Sequence, residues 1–212
     1  MDDPNRVLRH RLADRLFHWI TAACFFVLLA TSLLPIFGID FNWLAPHWIA
    51  GLVLIAAVLI HTIQALKAHH IRYMWIGIKE YLASASHVLA VVSGQYSRAA
   101  KPGKYSVAQK VFHFAAILVV LTAAGTGVVL MIGIDTPFWE RDPYFVTESV
   151  RGLIFVAHGF ATLISITMII VHVYFAVRPE KRYFLRSMIG GWISRRDYED
   201  NHDSELWNEE NN

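Results

Sequence analysis

Four long stretches of this 212-residue chain contain no Asp, Glu, Lys or Arg: Phe17–Ile39, His47–Leu66, Val111–Ile134 and Gly152–Val177. Each is close to or above the ~20 residues a helix needs to cross the hydrocarbon core of a bilayer. A segment in that core must satisfy its own backbone N–H and C=O groups, which points to helix. The pattern predicts an all-α fold, a four-helix transmembrane bundle with spans over 17–39, 47–66, 111–134 and 152–177. Composition agrees, since 55% of residues are apolar and only 17% are charged, below the ~25% usual for a soluble domain.

The residues between the spans set the expected orientation. Arg6, Arg9, Arg11 and Arg15 precede the first apolar run, and no small-residue cleavage pattern follows it. It therefore reads as a retained span and not as a cleaved signal. Of 19 Lys and Arg, only Arg141 and Arg151 lie in the 37–46 and 135–151 connections. The other 17 lie before the first span, between the second and third, or after the fourth. The positive-inside rule then places both termini and the middle loop in the cytoplasm of a multi-pass protein of the bacterial inner membrane.

Within the middle connection, Trp75, Ile78, Leu82, Ala85, Leu89 and Val92 recur at spacings of three and four. That predicts an amphipathic cytoplasmic helix over about 72–96, on the membrane surface or on a partner. The chain from Asp197 onward is acidic and polar. The expected organisation is a membrane domain over 1–196 and a polar cytoplasmic tail over 197–212, disordered at its last residues. Cys24 is the only cysteine, which excludes an iron–sulfur cluster within the chain, a disulfide framework and a C-x-x-C-H haem attachment. Lipid is an expected partner and nucleic acid is not.

Six of the eleven histidines fall in the apolar runs: His18, His47, His61, His113, His158 and His172. Ionisable groups in a membrane interior are unfavourable, so a function is the default expectation for them. A helix–helix hydrogen bond explains any single one equally well. Their arrangement is more informative. His158 and His172 are 14 residues apart on one predicted helix. At 100° per residue they fall about 40° short of four full turns, so they share a face, separated by a rise of ~21 Å. His47 opens the second span and His18 the first, so the topology supplies one pair at each depth: His47 with His158 on the outer side, His18 with His172 on the inner. Two imidazoles facing each other across a bundle core suit a bis-histidine haem iron. Such a centre has no open coordination position and carries single electrons. Gly51, Gly125, Gly127 and Gly159 give a porphyrin room against the helix backbones, although ordinary close packing explains each of them as well. His61 follows His47 by the same 14 residues and competes with His18 as the partner of His172. Geometry alone leaves that choice open. Zinc is disfavoured, because no third or fourth ligand of Cys, Asp or Glu character lies at either depth.

The chain resembles the cytochrome b (gamma) subunit of membrane-bound respiratory formate dehydrogenases, the formate dehydrogenase-N type, from about Arg6 to Trp207. The resemblance is carried by Asp14-Arg-Leu-Phe-His18-Trp19, His47-x-x-x-Gly51, Gly103-Lys-Tyr-Ser-Val-Ala-Gln-Lys110, Thr126-Gly127, His158, His172-x-Tyr174, Met188-Ile-Gly-Gly191 and Ser194-Arg-Arg196. It implies two b haems, the outer held by His47 and His158, the inner by His18 and His172, which favours His18 over His61. It also implies an iron–sulfur beta subunit docked on the outer side, and beyond it a catalytic alpha subunit with molybdenum or tungsten that oxidises formate. Electrons would pass through both haems to menaquinone near the cytoplasmic face, and a higher oligomer of the whole complex is compatible with this arrangement. The chain itself is then an electron-transfer and quinone-reducing subunit with no catalytic residues for formate. The quinone would lie against His172 and the segment Tyr105, Ser106, Ala108 and Gln109. Here the sequence departs from the family's usual Lys-Tyr-Asn-Ala-Gly-Gln-Lys, with Ser106 for the Asn and Ala108 for the Gly. Hydrogenase and other molybdenum-enzyme cytochromes b share parts of the pattern. A haem-free membrane anchor or proton-relaying transporter is a further alternative, and the absence of Asp and Glu from the spans argues against a transporter.

Overall fold

The computed structural model describes residues 5–67, 74–78, 81–82, 85, 93 and 101–207. The amphipathic segment expected over 72–96 lies largely outside the described residues. Four helices dominate: α1 (Leu12–Leu33), α2 (Leu44–Lys67), α3 (Val107–Ile132) and α4 (Glu148–Val177). All four are long and apolar enough to cross a membrane. At 1.5 Å per residue even the shortest, of 22 residues, spans the ~30 Å hydrocarbon core.

The helix ends follow local chemistry more closely than they follow the charge-free runs. Asp14 lies in the first turn of α1 and its carboxylate accepts the Arg11 amide at 3.3 Å. The helix therefore begins ahead of the apolar run, with charged residues in its opening turns. It stops at Leu33, six residues before the expected end of the first span at Ile39. Pro35 is the reason, since it has no N–H and disfavours helical backbone at Leu34. Gly38, at φ +80, then turns the chain, a conformation open to glycine at little cost. Pro46 sits in the first turn of α2, where its missing N–H costs nothing. Ser106 and Gln109 start α3 as a reciprocal capping box: the Ser106 amide donates to Gln109 Oε1 at 2.9 Å, and the Gln109 amide donates to Ser106 Oγ at 3.3 Å. Arg178–Pro179 ends α4 in a 3-10 turn, Pro179–Lys181.

The described chain forms two compact units. One contains Leu16–Thr62 and Ala115–Tyr174, the bulk of the four long helices. Its buried side chains are mostly small: Cys24, Thr31, Ala50, Ala161 and Ser165, with Leu54, Val119 and Met131. Small residues let helices approach closely where lipid, not water, is the solvent. Its large apolar side chains face outward; Phe26 is 77% exposed and Leu153 70%. An apolar exterior on this scale is what a bilayer covers.

The other unit comprises Met1–Arg15, Ile63–Phe114 and Phe175–Asn212. Here β1 (Arg6–Leu8) pairs antiparallel with β2 (Trp192–Ser194), with Val7 opposite Ile193. Between α4 and β2 lies α5 (Arg182–Gly190), closed by Gly191 at φ +93, and after β2 comes α6 (Arg195–Asn201). Val7, Tyr183, Ile193, Tyr198 and Trp207 form its core. Three-residue strands carry too little periodicity to stand out against the helical pattern, so the ribbon leaves no signal in the sequence. The tail expected from Asp197 is folded as far as Trp207, which is fully buried. Of its described residues, Glu199, Asp200 and Glu205 are exposed while Tyr198 and Trp207 are buried aromatic anchors, which its overall composition conceals.

Candidate functional site

In the helical unit, four of the expected histidines come together in two pairs. His47 on α2 faces His158 on α4, with ring centroids 6.3 Å apart and planes at 65°. His18 on α1 faces His172 on α4, with centroids 6.0 Å apart and planes at 55°. Two metal–nitrogen bonds of about 2 Å each plus half the width of each five-membered ring amount to about 6 Å. Both pairs therefore have the spacing that an iron held between two imidazoles requires. Because His158 and His172 are 14 residues apart on one continuous helix, the pairs lie ~21 Å apart along its axis.

His61 has a different ring partner. Its ring stacks on Phe17, with centroids 3.9 Å apart and planes at 6°. His18 also stacks on its neighbour Trp19 at 5.0 Å. The two histidines are therefore in different surroundings, a distinction that their shared membership of the apolar runs does not make.

The first pair has two polar neighbours that the sequence reading did not assign. Thr31 Oγ1 on α1 lies 2.8 Å from His47 Nδ1, and Thr126 Oγ1 on α3 lies 2.9 Å from His158 Nδ1. Each hydroxyl also donates back to its own helix, Thr31 to the Val27 carbonyl at 2.7 Å and Thr126 to the Thr122 carbonyl at 2.6 Å. A hydroxyl has one hydrogen. With that hydrogen directed to a carbonyl, the oxygen accepts from the Nδ1–H tautomer of the imidazole. Nε2 is then left with its lone pair available to a metal. Thr126 was visible only as part of a Thr-Gly marker, and Thr31 gave no signal at all, because its contact spans a helix–helix interface.

Glycines lie on the helices that carry these side chains. A Cβ added at Gly51, Gly125 or Gly159 meets no atom within 4 Å, so all three border open space. Gly127 is different, since a Cβ there would sit 3.3 Å from His158 Cε1. Paired imidazoles at this spacing, with a hydroxyl oxygen beside the Nδ1 of His47 and of His158, fit a haem.

The expected quinone segment lies in the other unit. Ser106 and Gln109 are engaged in the capping box, and Ala108 is exposed. Tyr105 belongs to a cluster around Arg9, which is 2% exposed. The guanidinium lies 4.7 Å from the Phe184 ring, 5.3 Å from Trp207 and 5.6 Å from Tyr105. It donates to the Lys104 carbonyl at 2.7 Å, and it lies 3.1 Å from His202 Nε2. His202 Nδ1 in turn lies 2.8 Å from the Gly103 carbonyl. Burial, then the neighbouring Arg9 charge, holds the His202 pKa down to about 4. The same two causes bring Lys104 down to about 8. Burial raises Tyr105, with Arg9 opposing. A neutral His202 accepts from Arg9 at Nε2 and donates to Gly103 at Nδ1, so one tautomer satisfies both contacts.

Comparison with known proteins supplies the class. The chain is 26% identical to the formate dehydrogenase cytochrome b556 subunit of Haemophilus influenzae, across 92% of this chain and 80% of that protein. It is 26% identical to the nitrate-inducible formate dehydrogenase cytochrome b556(Fdn) subunit of Escherichia coli K12, across 92% and 88%. The cytochrome b556(fdo) subunit of the same strain is 25% identical, across 89% and 86%. The family model described as prokaryotic cytochrome b561 matches residues 9–191. With that match over most of its length and four apolar helices, this multi-pass membrane protein belongs to the prokaryotic cytochrome b561 family, and its cofactor is haem b.

Proposed function

We propose that the chain is the dihaem cytochrome b subunit of a formate dehydrogenase, taking electrons from an iron–sulfur subunit and delivering them to menaquinone. The observation that carries this is the presence of two histidine pairs at haem-ligand spacing, His47 with His158 and His18 with His172. The names of the relatives indicate the partner enzyme. Bound haem b supplies a one-electron iron centre. The two imidazoles of each pair would hold the haem and would leave no position for oxygen or substrate. The four histidines hold the two centres at different depths, and a molybdenum or tungsten subunit supplies the electrons by oxidising formate. The basic residues before α1, between α2 and α3 and after α4 support an inner-membrane orientation with both termini in the cytoplasm.

The capping box narrows the chemistry available to a quinone. Both of its acceptor atoms are used, yet the Ser106 hydroxyl hydrogen and the Gln109 amide N–H groups remain as donors. In the proposed site, these donate to quinone carbonyls.

Haem content of the assembled complex is the central test. His158→Ala should lose one of two haems, and so should His18→Ala, while His61→Ala should keep both. Full haem in His158→Ala, or loss in the His61 variant alone, overturns the ligand assignment. For the quinone segment, Gln109→Glu and Ser106→Asp keep acceptors for the cap and remove the donors. Formate oxidation with an artificial dye should survive in both variants and quinone reduction should fall; unchanged quinone reduction moves the site elsewhere.

A further inference from the structure

Thr31 and Thr126 make the same contact at the same pair, from two different helices. Each places its Oγ1 within hydrogen-bond distance of a histidine Nδ1, at 2.8 and 2.9 Å. In each, a carbonyl one turn earlier lies within reach of the single hydroxyl hydrogen, and with the hydrogen there the oxygen accepts. We propose that Thr31 and Thr126 are positioning residues that lock His47 and His158 in the Nδ1–H form and lower the reduction potential of the haem these histidines hold. The inference rests on the dihaem reading above.

The physical chain is short. A ring free to rotate about its χ angles presents either nitrogen to the cavity; one tethered at Nδ1 presents Nε2. Donation from Nδ1–H to an oxygen also leaves more electron density on Nε2, making it a stronger donor to a metal. A stronger donor favours the more positively charged, oxidised iron over the reduced one. Both ligands of one iron carry this tether, so the two effects act in the same direction. Gly127 leaves room for the ring, because His158 Cε1 lies 3.3 Å from where a side chain would begin. Back-bonding within α1 and α3 alone does not explain why both hydroxyl oxygens lie within hydrogen-bond distance of a ring nitrogen of one histidine pair.

The test uses the assembled complex in membranes. Thr31→Val and Thr126→Val remove the hydroxyl at nearly constant volume, and Thr→Ser at either position restores it. Haem content and potentiometric titration of the visible bands are measured for each variant. In the double valine variant the midpoint of one haem should rise, by about tenfold in the one-electron equilibrium, or ~59 mV; each single variant should give a smaller rise. The other midpoint should stay put, and serine should restore the wild-type value. Where a valine variant loses one haem and serine recovers it, the tether is again supported. Full haem content with both midpoints unchanged in the double valine variant overturns the proposal, as does a serine variant indistinguishable from valine. Failure of the dihaem reading has a separate signature: His47→Ala then retains as much haem as the wild type.

Discussion

Gly127→Ala separates the demands of the helix from those of the site. In an unconstrained helix interior the change from glycine stabilises by about 1 kcal/mol. At Gly127 the new Cβ would lie 3.3 Å from His158 Cε1 and 3.8 Å from its Nδ1. Comfortable carbon contacts begin at about 3.5–4.0 Å, so the ring must yield by a few tenths of an ångström. It has little freedom to do so. Nδ1 is tethered to Thr126 at 2.9 Å, and His47 faces it with ring centres 6.3 Å apart. Overpacking of this kind costs about 1–3 kcal/mol. Set against the helix gain, the net effect on folding is a loss of about 0–2 kcal/mol, small for the chain but concentrated on one proposed ligand. The expected outcome is near-normal expression and thermal stability with loss, or a shifted spectrum, of one haem. Gly152→Ala is the control, because a Cβ there meets no atom within 4 Å; it should gain stability and leave both haems unchanged. Haem content, visible spectra and thermal unfolding of the two variants decide the matter. If Gly127→Ala gains as much stability as Gly152→Ala with an unaltered spectrum, the ring is not held as argued.

Trp207→Ala removes a fully buried side chain from the core of Val7, Tyr183, Ile193 and Tyr198 and should cost about 3–5 kcal/mol, read as rapid protease cleavage after α6 while the wild-type tail resists. The His202 pKa is lowered to about 4 in the folded chain from about 6.5 unfolded, so its contribution is complete above pH ~6.5 and is lost as pH falls towards 4; tail protection should weaken across that window, and His202→Gln should flatten the dependence. A C-terminal fusion should report a cytoplasmic location, fluorescent with green fluorescent protein and inactive with alkaline phosphatase; the reverse pattern would refute the orientation drawn from the basic residues.

Several levels of this protein were legible in the chain itself. A run without charge longer than a bilayer is thick has few alternatives to a membrane helix, so all four long helices follow from the charge pattern alone. Prolines and caps then moved their ends by a few residues, as at Leu33 and Ser106, because helix termini answer to individual backbone groups and not to average hydropathy. The 14-residue interval between His158 and His172 likewise implies a shared helix face, since helical periodicity is a local property of one segment.

Tertiary structure decided what lies opposite that face. His18 and His61 are both histidines in apolar runs, and spacing alone offers either as a neighbour of His172. The rotation and approach of α1 bring His18 to 6.0 Å from it, while His61 stacks on Phe17. Thr31 is one of several hydroxyl residues in the spans until α1 packs beside α2 and sets it against His47. The tail shows the same division: acidic composition concealed the burial of Trp207, because burial depends on the cavity that Arg9, Tyr183 and Tyr198 build from distant parts of the chain. Periodicity and charge act along one segment and can be read from it, whereas the partner across an interface depends on how two surfaces interlock, which no single segment encodes.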